Sequence, residues 1–449
     1  MTPKERYLKL KEHLSEENPV LVEVIDEYEK LDETARALGF LTKNQTFTES
    51  ISWWPLISVL GTFSAGKSSF INEFLGKKVQ QSGNQAVDEK FTVLCYSKNE
   101  ATLPGVALDA DPRFPFYNIS KEIEKIEGSH SNINRYLQLK TVNSQNLKGK
   151  ILIDSPGFDA DTQRDATLKI TSHIIDLSDL ILIFFDARHP EPGAMRDTLN
   201  HLVEVARSHT DSDKVLYILN QVDTCSKEDN LEDIIGSWQR ALSQKGVVSG
   251  TFYAIYNENA AKAEGGAVDE RLKRKKDEDL AKIYEKIEKV VVDRAYRIVK
   301  NIETRVKELK EYISLARAEL AKFRKRMFFI DAILLLAFGV ALYYISSFVE
   351  GDILFAAAFA LFLALAALHF KIKAVLSDMM AQKISNPYVK NSFAKFTRWY
   401  VNYISAPLKV GRKKYLLKLD ELVNRSKSFI QRLNDQFLEN RKSETYLQE

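Results

Sequence analysis

Gly61-Thr62-Phe63-Ser64-Ala65-Gly66-Lys67-Ser68 lies between an apolar run, Leu56 to Leu60, and a helix-like run, Ser68 to Leu75. It fits G-x-x-x-x-G-K-[ST] in full, with the strand before and the helix after that a phosphate-binding loop requires. Glycine lets the backbone curl until its N–H groups face an anion, and the new helix adds its positive end. Lys67 is expected to reach the outer phosphates. Ser68 is expected to ligate Mg²⁺ through its hydroxyl, because a hard cation prefers oxygen. With Ser69 beside them, Gly61, Ser64, Ala65, Gly66, Lys67 and Ser68 form the expected nucleotide-binding loop. The chain is thereby read as binding a nucleoside triphosphate.

Working outward, residues 56 to 255 alternate apolar runs with helical ones: Leu56 to Leu60, Phe91 to Tyr96, Ile151 to Asp154, Leu180 to Asp186, Val215 to Asn220 and Phe252 to Ile255. The alternation predicts an α/β fold, a mostly parallel sheet with helices on both faces. Residues 97 to 149, with Pro104, Pro112 and Pro115, read as an insertion between the second and third strands, and a long insertion is often functional. Ile151-Leu152-Ile153-Asp154-Ser155-Pro156-Gly157 is a strand ending in Asp-x-x-Gly. Asp154 is placed to hold Mg²⁺ through water, and the Gly157 N–H to touch the γ-phosphate and report its loss.

The fifth strand ends in Asn220-Gln221-Val222-Asp223, a variant of Asn-Lys-x-Asp. A carboxylate at Asp223 accepts from guanine N1–H and N2–H₂ together, whereas adenine leaves it facing an acceptor, a mismatch worth a few kcal/mol. Gln221 in place of lysine removes a flat cationic stem over the base. Thr92 is the evident threonine for the metal, so Ser68, Thr92 and Asp154 are the expected metal set.

The 449 residues are long enough for two or three domains. A formal charge of +3 gives no bulk signal for nucleic acid, and no such partner is expected. Two cysteines, Cys95 and Cys225, make no framework and no metal-ligand spacing, which suits a reducing compartment. Met1 to Glu17 is densely charged and lacks an apolar core, so no cleaved signal peptide is expected.

Outside the nucleotide domain the pattern is helical. Residues 3 to 38 read as two helices, the second begun by Asn18-Pro19 and striped by Val20, Val24, Tyr28, Leu31, Ala35 and Leu38. From Glu278 to Arg326 apolar positions from Leu280 to Leu320 step by three, four or seven, a rod of roughly 70 Å. After Lys373 the pattern resumes, is broken at Asn386-Pro387 and near Pro407 and Gly411, and continues to about Leu438. These stripes predict a long helical bundle.

Met327 to Val349 and Ile353 to Phe370 are almost purely apolar and of the length needed to cross roughly 30 Å of hydrocarbon, with only Glu350-Gly351-Asp352 between them. Their outer flanks are basic, Lys322 to Arg326 and Lys371 with Lys373, while the turn is acidic. The positive-inside bias predicts an integral membrane hairpin with both termini and the nucleotide domain cytoplasmic. The expected division is 1–50 N-terminal helices, 51–265 nucleotide domain, 266–326 stalk, 327–371 transmembrane hairpin and 372–449 returning helices. Gly265-Gly266 with the charged segment Arg271 to Asp279 reads as a hinge at the head of the rod.

Phe63-Ser64-Ala65-Gly66-Lys67-Ser68-Ser69-Phe70-Ile71, the stretch from Leu103-Pro104-Gly105 to Phe114-Pro115-Phe116, Asp154-Ser155-Pro156-Gly157 and Leu182-Ile183-Phe184-Phe185-Asp186-Ala187 resemble the dynamin superfamily. The nearest resemblance is to its Eps15-homology-domain (EHD) branch and bacterial dynamin-like relatives, over roughly residues 1 to 310. It implies a P-loop GTPase that remodels membranes, assembles as a homodimer or higher oligomer through its GTPase domains, and stimulates its own hydrolysis. No calcium-binding EH module follows, and an apolar hairpin replaces the peripheral lipid-binding tip, as in mitofusin-like and atlastin-like members.

The EHD branch hydrolyses ATP, so ATP stands beside GTP as the implied nucleotide. Its switch threonines align nearer Val87-Asp88 than Thr92. Phe63 stands where classical dynamins have a glutamine, and Ser64 matches their serine, which hydrogen-bonds charge on the bridging oxygen. The implied catalytic set is Ser64, Lys67, Thr92, Asp154 and Gly157. A membrane-tethered switch that recruits effectors is the alternative, and a nucleotide-gated transporter is disfavoured because Asp331 is the sole acidic residue within the apolar runs.

Overall fold

Among the described residues, eight strands form one sheet in the order β3-β4-β2-β5-β1-β6-β7-β8. They are β1 (Leu56–Gly61), β2 (Phe91–Tyr96), β3 (Ala101–Pro104), β4 (Leu137–Val142), β5 (Ile151–Asp154), β6 (Leu180–Asp186), β7 (Val215–Asn220) and β8 (Thr251–Ala254). The structure is a computed structural model that describes residues 2–15, 18–62, 64–80, 90–111, 114, 116, 133–157, 164–188, 214–224, 231–244, 247, 250–258, 270–398, 410 and 412–446. The chain divides into two compact units, one of residues 16–18 and 51–297, the other of 1–15, 19–50 and 298–449.

In the first unit β5, β1, β6, β7 and β8 run parallel, and every residue of β1, β6 and β7 is buried. Unbroken apolar runs are what a strand covered on both faces requires. The sheet is mixed at its other end. Strand β2 runs antiparallel to β5 and parallel to β4, and β3 closes the edge antiparallel to β4. The stretch read as an insertion, 97–149, therefore carries two strands and the short helix α4 (Val106–Ala110) that extend the sheet. Both strands are weak signals: β4 carries a strand's alternation at Leu137-Gln138-Leu139-Lys140 but is only six residues long and loses the alternation at Thr141, and β3 is four residues long and exposed.

Helix α3 (Lys67–Leu75) packs Phe70, Ile71, Phe74 and Leu75 against β1, β5 and β6 and ends at Gly76, whose φ of 64° closes the last turn. Helices α5 (Arg164–Leu177) and α6 (Leu231–Gln244) supply Ile175, Trp238 and Leu242 to the other face.

Helix α7 runs unbroken over Glu270–Ser346, 77 residues and about 115 Å of helix. Its opening turns are core elements of the sheet unit. Ile283, Ile287 and Val290 join the cluster of α3 and the sheet, and the Tyr284 ring lies 5.5 Å from that of Phe74. Asp279, 5% exposed, accepts from the Ala254 N–H at 2.9 Å. The charged segment Arg271–Asp279, which composition marks as a hinge, is thus continuous helix held on the sheet. Gly265 and Gly266 lie outside the described residues.

The elements described in the second unit are helices: α1 (Pro3–Leu14), α2 (Pro19–Ala37), α7 from Ile298, α8 (Asp352–Gln382), α9 (Pro387–Thr397) and α10 (Lys413–Tyr446). The stripe Val24, Tyr28, Leu31, Ala35 is fully buried, as are Ile302, Leu309 and Leu419 from the facing helices. Polar contacts set the register: Tyr28 Oη donates to Ile298 O at 2.8 Å, and Arg425 reaches Glu27 at 2.8 Å. Asn386 caps α9 from its side chain, accepting from the N–H groups of Tyr388 and Val389.

Among the described residues, two stretches of this unit are left largely exposed. The most apolar windows of α7 and α8 are long enough to cross a membrane and are 0% buried. Leu335 is 71% exposed, Phe348 85% and Phe355 78%. A core helix hides its apolar face, and these two leave theirs exposed. Asp331 does not turn outward; its carboxylate meets His369 Nδ1 across the hairpin at 2.7 Å.

Candidate nucleotide site

Because β5, β1, β6 and β7 are parallel, their last residues, Asp154, Gly61, Asp186 and Asn220, share one edge of the sheet. Ligands of open α/β sheets bind outside that edge. The loop after β1 has the backbone of an anion cradle: Ser64 sits at φ 59° and Gly66 at φ 81°. Glycine is required at both signature positions. A Cβ on Gly66 would stand 2.1 Å from Asn220 Nδ2, and one on Gly61 would stand 2.6 Å from Phe184 O.

Lys67 is nearly buried and folds back over the loop, donating to the carbonyls of Gly61 and Thr62, both at 2.9 Å. Ser68 Oγ donates to Asp154 Oδ2 at 3.4 Å. Two hard oxygens at this spacing fit Mg²⁺, whose neighbouring octahedral ligands lie roughly 3 Å apart when each bond is about 2.1 Å. Ala65 is buried, Ser69 follows on α3, and Gly157 lies three residues beyond β5.

Thr92 is not brought to this group by any hydrogen bond. It lies inside β2, directly opposite Asp154 in register, fully buried, and its hydroxyl accepts from Gln138 Nε2 at 2.7 Å. A ligand that must come and go with the γ-phosphate is better carried by a loop than by a paired strand. Val87, Asp88 and Phe63 lie outside the described residues.

Of the residues expected at the base, Asn220 ends β7 and Gln221 opens the turn after it, and both are tied to the phosphate loop. Asn220 Nδ2 donates to Ala65 O at 2.9 Å, and Gln221 Nε2 donates to Ser64 O. Gln221, at φ 64°, therefore uses its amide on the loop backbone. Asp223 is half-buried on the short turn that Thr224 closes by donating to Gln221 O at 2.7 Å.

Two further features escaped sequence reasoning. Gln80, in the connection after α3, donates from Nε2 to Asp154 Oδ2 at 2.7 Å. Asp186, 5% exposed at the end of β6, takes both Nε and Nη2 of Arg188 in a fork at 2.6–3.1 Å. Asp186 had a legible signal, since it ends the strand beside β1. Gln80 had none.

Residues 57–222 match the Dynamin family. Those residues form a dynamin-type domain. This dynamin-type domain is 28% identical over 197 residues to EH domain-containing protein 2 of Rattus norvegicus and of Homo sapiens, covering 42% of this chain and 34% of theirs. It is 24% identical over 179 residues to EH domain-containing protein 1 of Bos taurus, covering 38% of this chain and 31% of that one. The matched stretch thus spans about a third of each relative's length. Among solved structures, a bacterial dynamin pair described as oligomerised and as a mechanism for long-range sensing and tethering of membranes aligns at TM-score 0.38 and 13% identity, over 97% of this chain and 73% of that one.

Proposed function

We propose that this dynamin-type chain is a membrane-anchored GTPase that couples nucleotide-dependent pairing of its GTPase domains to membrane remodelling. The observation that carries the reading is the joint presence of a complete phosphate loop, with Ser68 and Asp154 facing one another, and an apolar hairpin with exposed faces. The expected division of the chain into nucleotide domain, stalk, hairpin and returning helices is kept, with the opening of α7 assigned to the nucleotide domain.

Each residue has one task. Backbone N–H groups from Ser64 to Ser69 bind the α- and β-phosphates, and Lys67 leaves the Gly61 and Thr62 carbonyls for the outer phosphates. Ser68 and Asp154 would hold Mg²⁺, which when bound neutralises charge on the β- and γ-oxygens. Gly157 presents its N–H to the γ-phosphate, and the Ser64 hydroxyl faces the bridging oxygen. Asn220 and Asp223 read the base, Asp223 selecting guanine by its two donors. Thr92 is left out of the metal set because its hydroxyl is committed within the sheet.

The experiment is turnover and vesicle imaging with the full chain in liposomes. Lys67→Ala should abolish nucleotide binding, while Ser64→Ala should bind and turn over slowly. Equal turnover by wild type and Lys67→Ala would sink the proposal. Tubes or fused vesicles appearing with GTP support remodelling; hydrolysis with unchanged vesicles supports a tethered switch. The relation to EH domain-containing proteins favours ATP as the second candidate, and competition between GTP and ATP analogues decides between them.

A further inference from the structure

Gln80 belongs to no motif, yet it is 1% exposed and its side chain ends on Asp154. Nε2 donates at 2.7 Å to Oδ2, the same oxygen that the Ser68 hydroxyl faces at 3.4 Å. The other end of the amide is fixed too, for Oε1 accepts from Lys140 Nζ on β4 at 2.6 Å. The main chain is braced as firmly. Asn72 Oδ1 accepts from the N–H groups of Val79 and Gln80, each at 2.8 Å, and Asn72 Nδ2 donates to Gln80 O at 2.8 Å. Asn72 lies on α3, the helix that also begins with Lys67 and Ser68, so Gln80 is located by the phosphate loop's own helix.

The geometry points to Gln80 as a positioning residue for the metal, holding the Asp154 carboxylate turned toward Ser68 before the cation arrives. An amide suits that task. Its N–H orients a carboxylate without neutralising it, whereas an ammonium in direct contact would compete with the metal for the same oxygen. Lys140, one group removed, polarises the amide and strengthens its bond to Asp154. Such outer partners of metal ligands are worth about tenfold to a hundredfold in metal affinity. The inference rests on the reading that this site binds nucleotide with Mg²⁺.

The test uses the full chain in detergent with mant-GTP, first in EDTA and then against added MgCl₂, for wild type, Gln80→Leu and Gln80→Asn. The asparagine variant keeps the amide but is one methylene too short, which guards against a leucine variant that does not fold. Metal-free mant-GTP affinity should match wild type, while half-saturating Mg²⁺ should rise about tenfold in both variants. Mn²⁺ binding followed by electron paramagnetic resonance should shift in the same direction. An unchanged Mg²⁺ requirement overturns the inference. So does a lowered one, which would make Gln80 a competitor for Asp154, and so does an equal loss of metal-free affinity, which would mark a purely structural role. Should wild type bind mant-GTP with no Mg²⁺ dependence, the reading of the site itself fails, and that is visible before any variant is made.

Discussion

Arg294 of α7 donates from Nη1 to Asp179 Oδ1 at 3.2 Å, joining the helix to the residue that precedes β6. Asp179, 3% exposed in its side chain, also takes Arg297 at 3.0 Å and the Leu56 N–H at 3.0 Å, while Arg294 Nε holds Ser52 O at 2.7 Å. Asp179→Ala should lower the unfolding free energy by about 3 kcal/mol, the low end for a broken buried pair, because Arg297 is half exposed and Arg294 keeps Ser52. Asp179→Asn should cost less, since it still accepts from Leu56. Denaturant unfolding of both variants checks the order; equal losses would show that the Leu56 hydrogen bond contributes nothing, and an Asp179→Asn variant as stable as wild type would show the same of the ion pairs.

Gly66 and Gly76 make a matched pair for a test of the phosphate loop. Both have positive φ, 81° and 64°, but a Cβ meets Asn220 Nδ2 at 2.1 Å in the first case and nothing within 4 Å in the second. Gly66→Ala should push Asn220 off Ala65 O and weaken nucleotide binding at least tenfold, about 1.4 kcal/mol. Gly76→Ala should cost only about 1–2 kcal/mol of stability and leave binding alone. Isothermal titration separates them; similar affinities for the two would remove the Gly66–Asn220 contact from the account.

How much of this was legible depends on where the placing forces lie. The phosphate loop is contiguous, and its glycines are needed by the local backbone, so sequence alone located it with the strands that end at Asp154 and Asn220. Strand β4 hides because it is short and its alternation breaks at Lys140-Thr141, so it stands out little from the polar residues around it. The head of α7 misled for the opposite reason. Arg271 to Asp279 is rich in charge, which composition reads as solvated, yet Asp279 is buried because its partner is the Ala254 N–H, a main-chain group no side-chain pattern reveals. Gln80 is invisible for the same reason, since Asn72 positions it through main-chain atoms.

Asp32 gives the helical unit a pH dependence. Burial raises its carboxyl above the ordinary range, overcoming the hydrogen bonds from the Phe47 N–H, Thr46 and Tyr7 and the nearby Arg36 charge. The folded chain therefore keeps a proton that the unfolded chain releases near pH 4. Stability from this group is complete below that value and is lost as pH rises through the raised one, with a slope of at most about 1.4 kcal/mol per unit. Glu49, also raised by burial, titrates in the same sense. Asp32→Asn should flatten the fall in stability above about pH 4 without abolishing it. A slope identical to wild type would mean that Asp32 stays charged in the fold.

The hairpin makes the last prediction. Lys322, Arg324, Lys325 and Arg326 are exposed where α7 enters its apolar stretch, and Lys371 is exposed where α8 leaves its own. Glu350 and Asp352 lie at the turn, where Gly351 takes φ 66°. On the proposed membrane reading, the acidic turn crosses hydrocarbon once, on insertion, while the basic flanks stay where lipid headgroups attract them, so both termini are expected on one side. Protease added outside sealed vesicles with the nucleotide domain inside should leave both terminal tags intact. A cysteine placed by Glu350→Cys should react with an impermeant maleimide from outside, whereas Cys95 and Cys225 should not. Labelling of none of the three, with both tags protected, would mean that the hairpin dips into one leaflet. Loss of one tag alone would require an odd number of crossings, and the hairpin topology would fail.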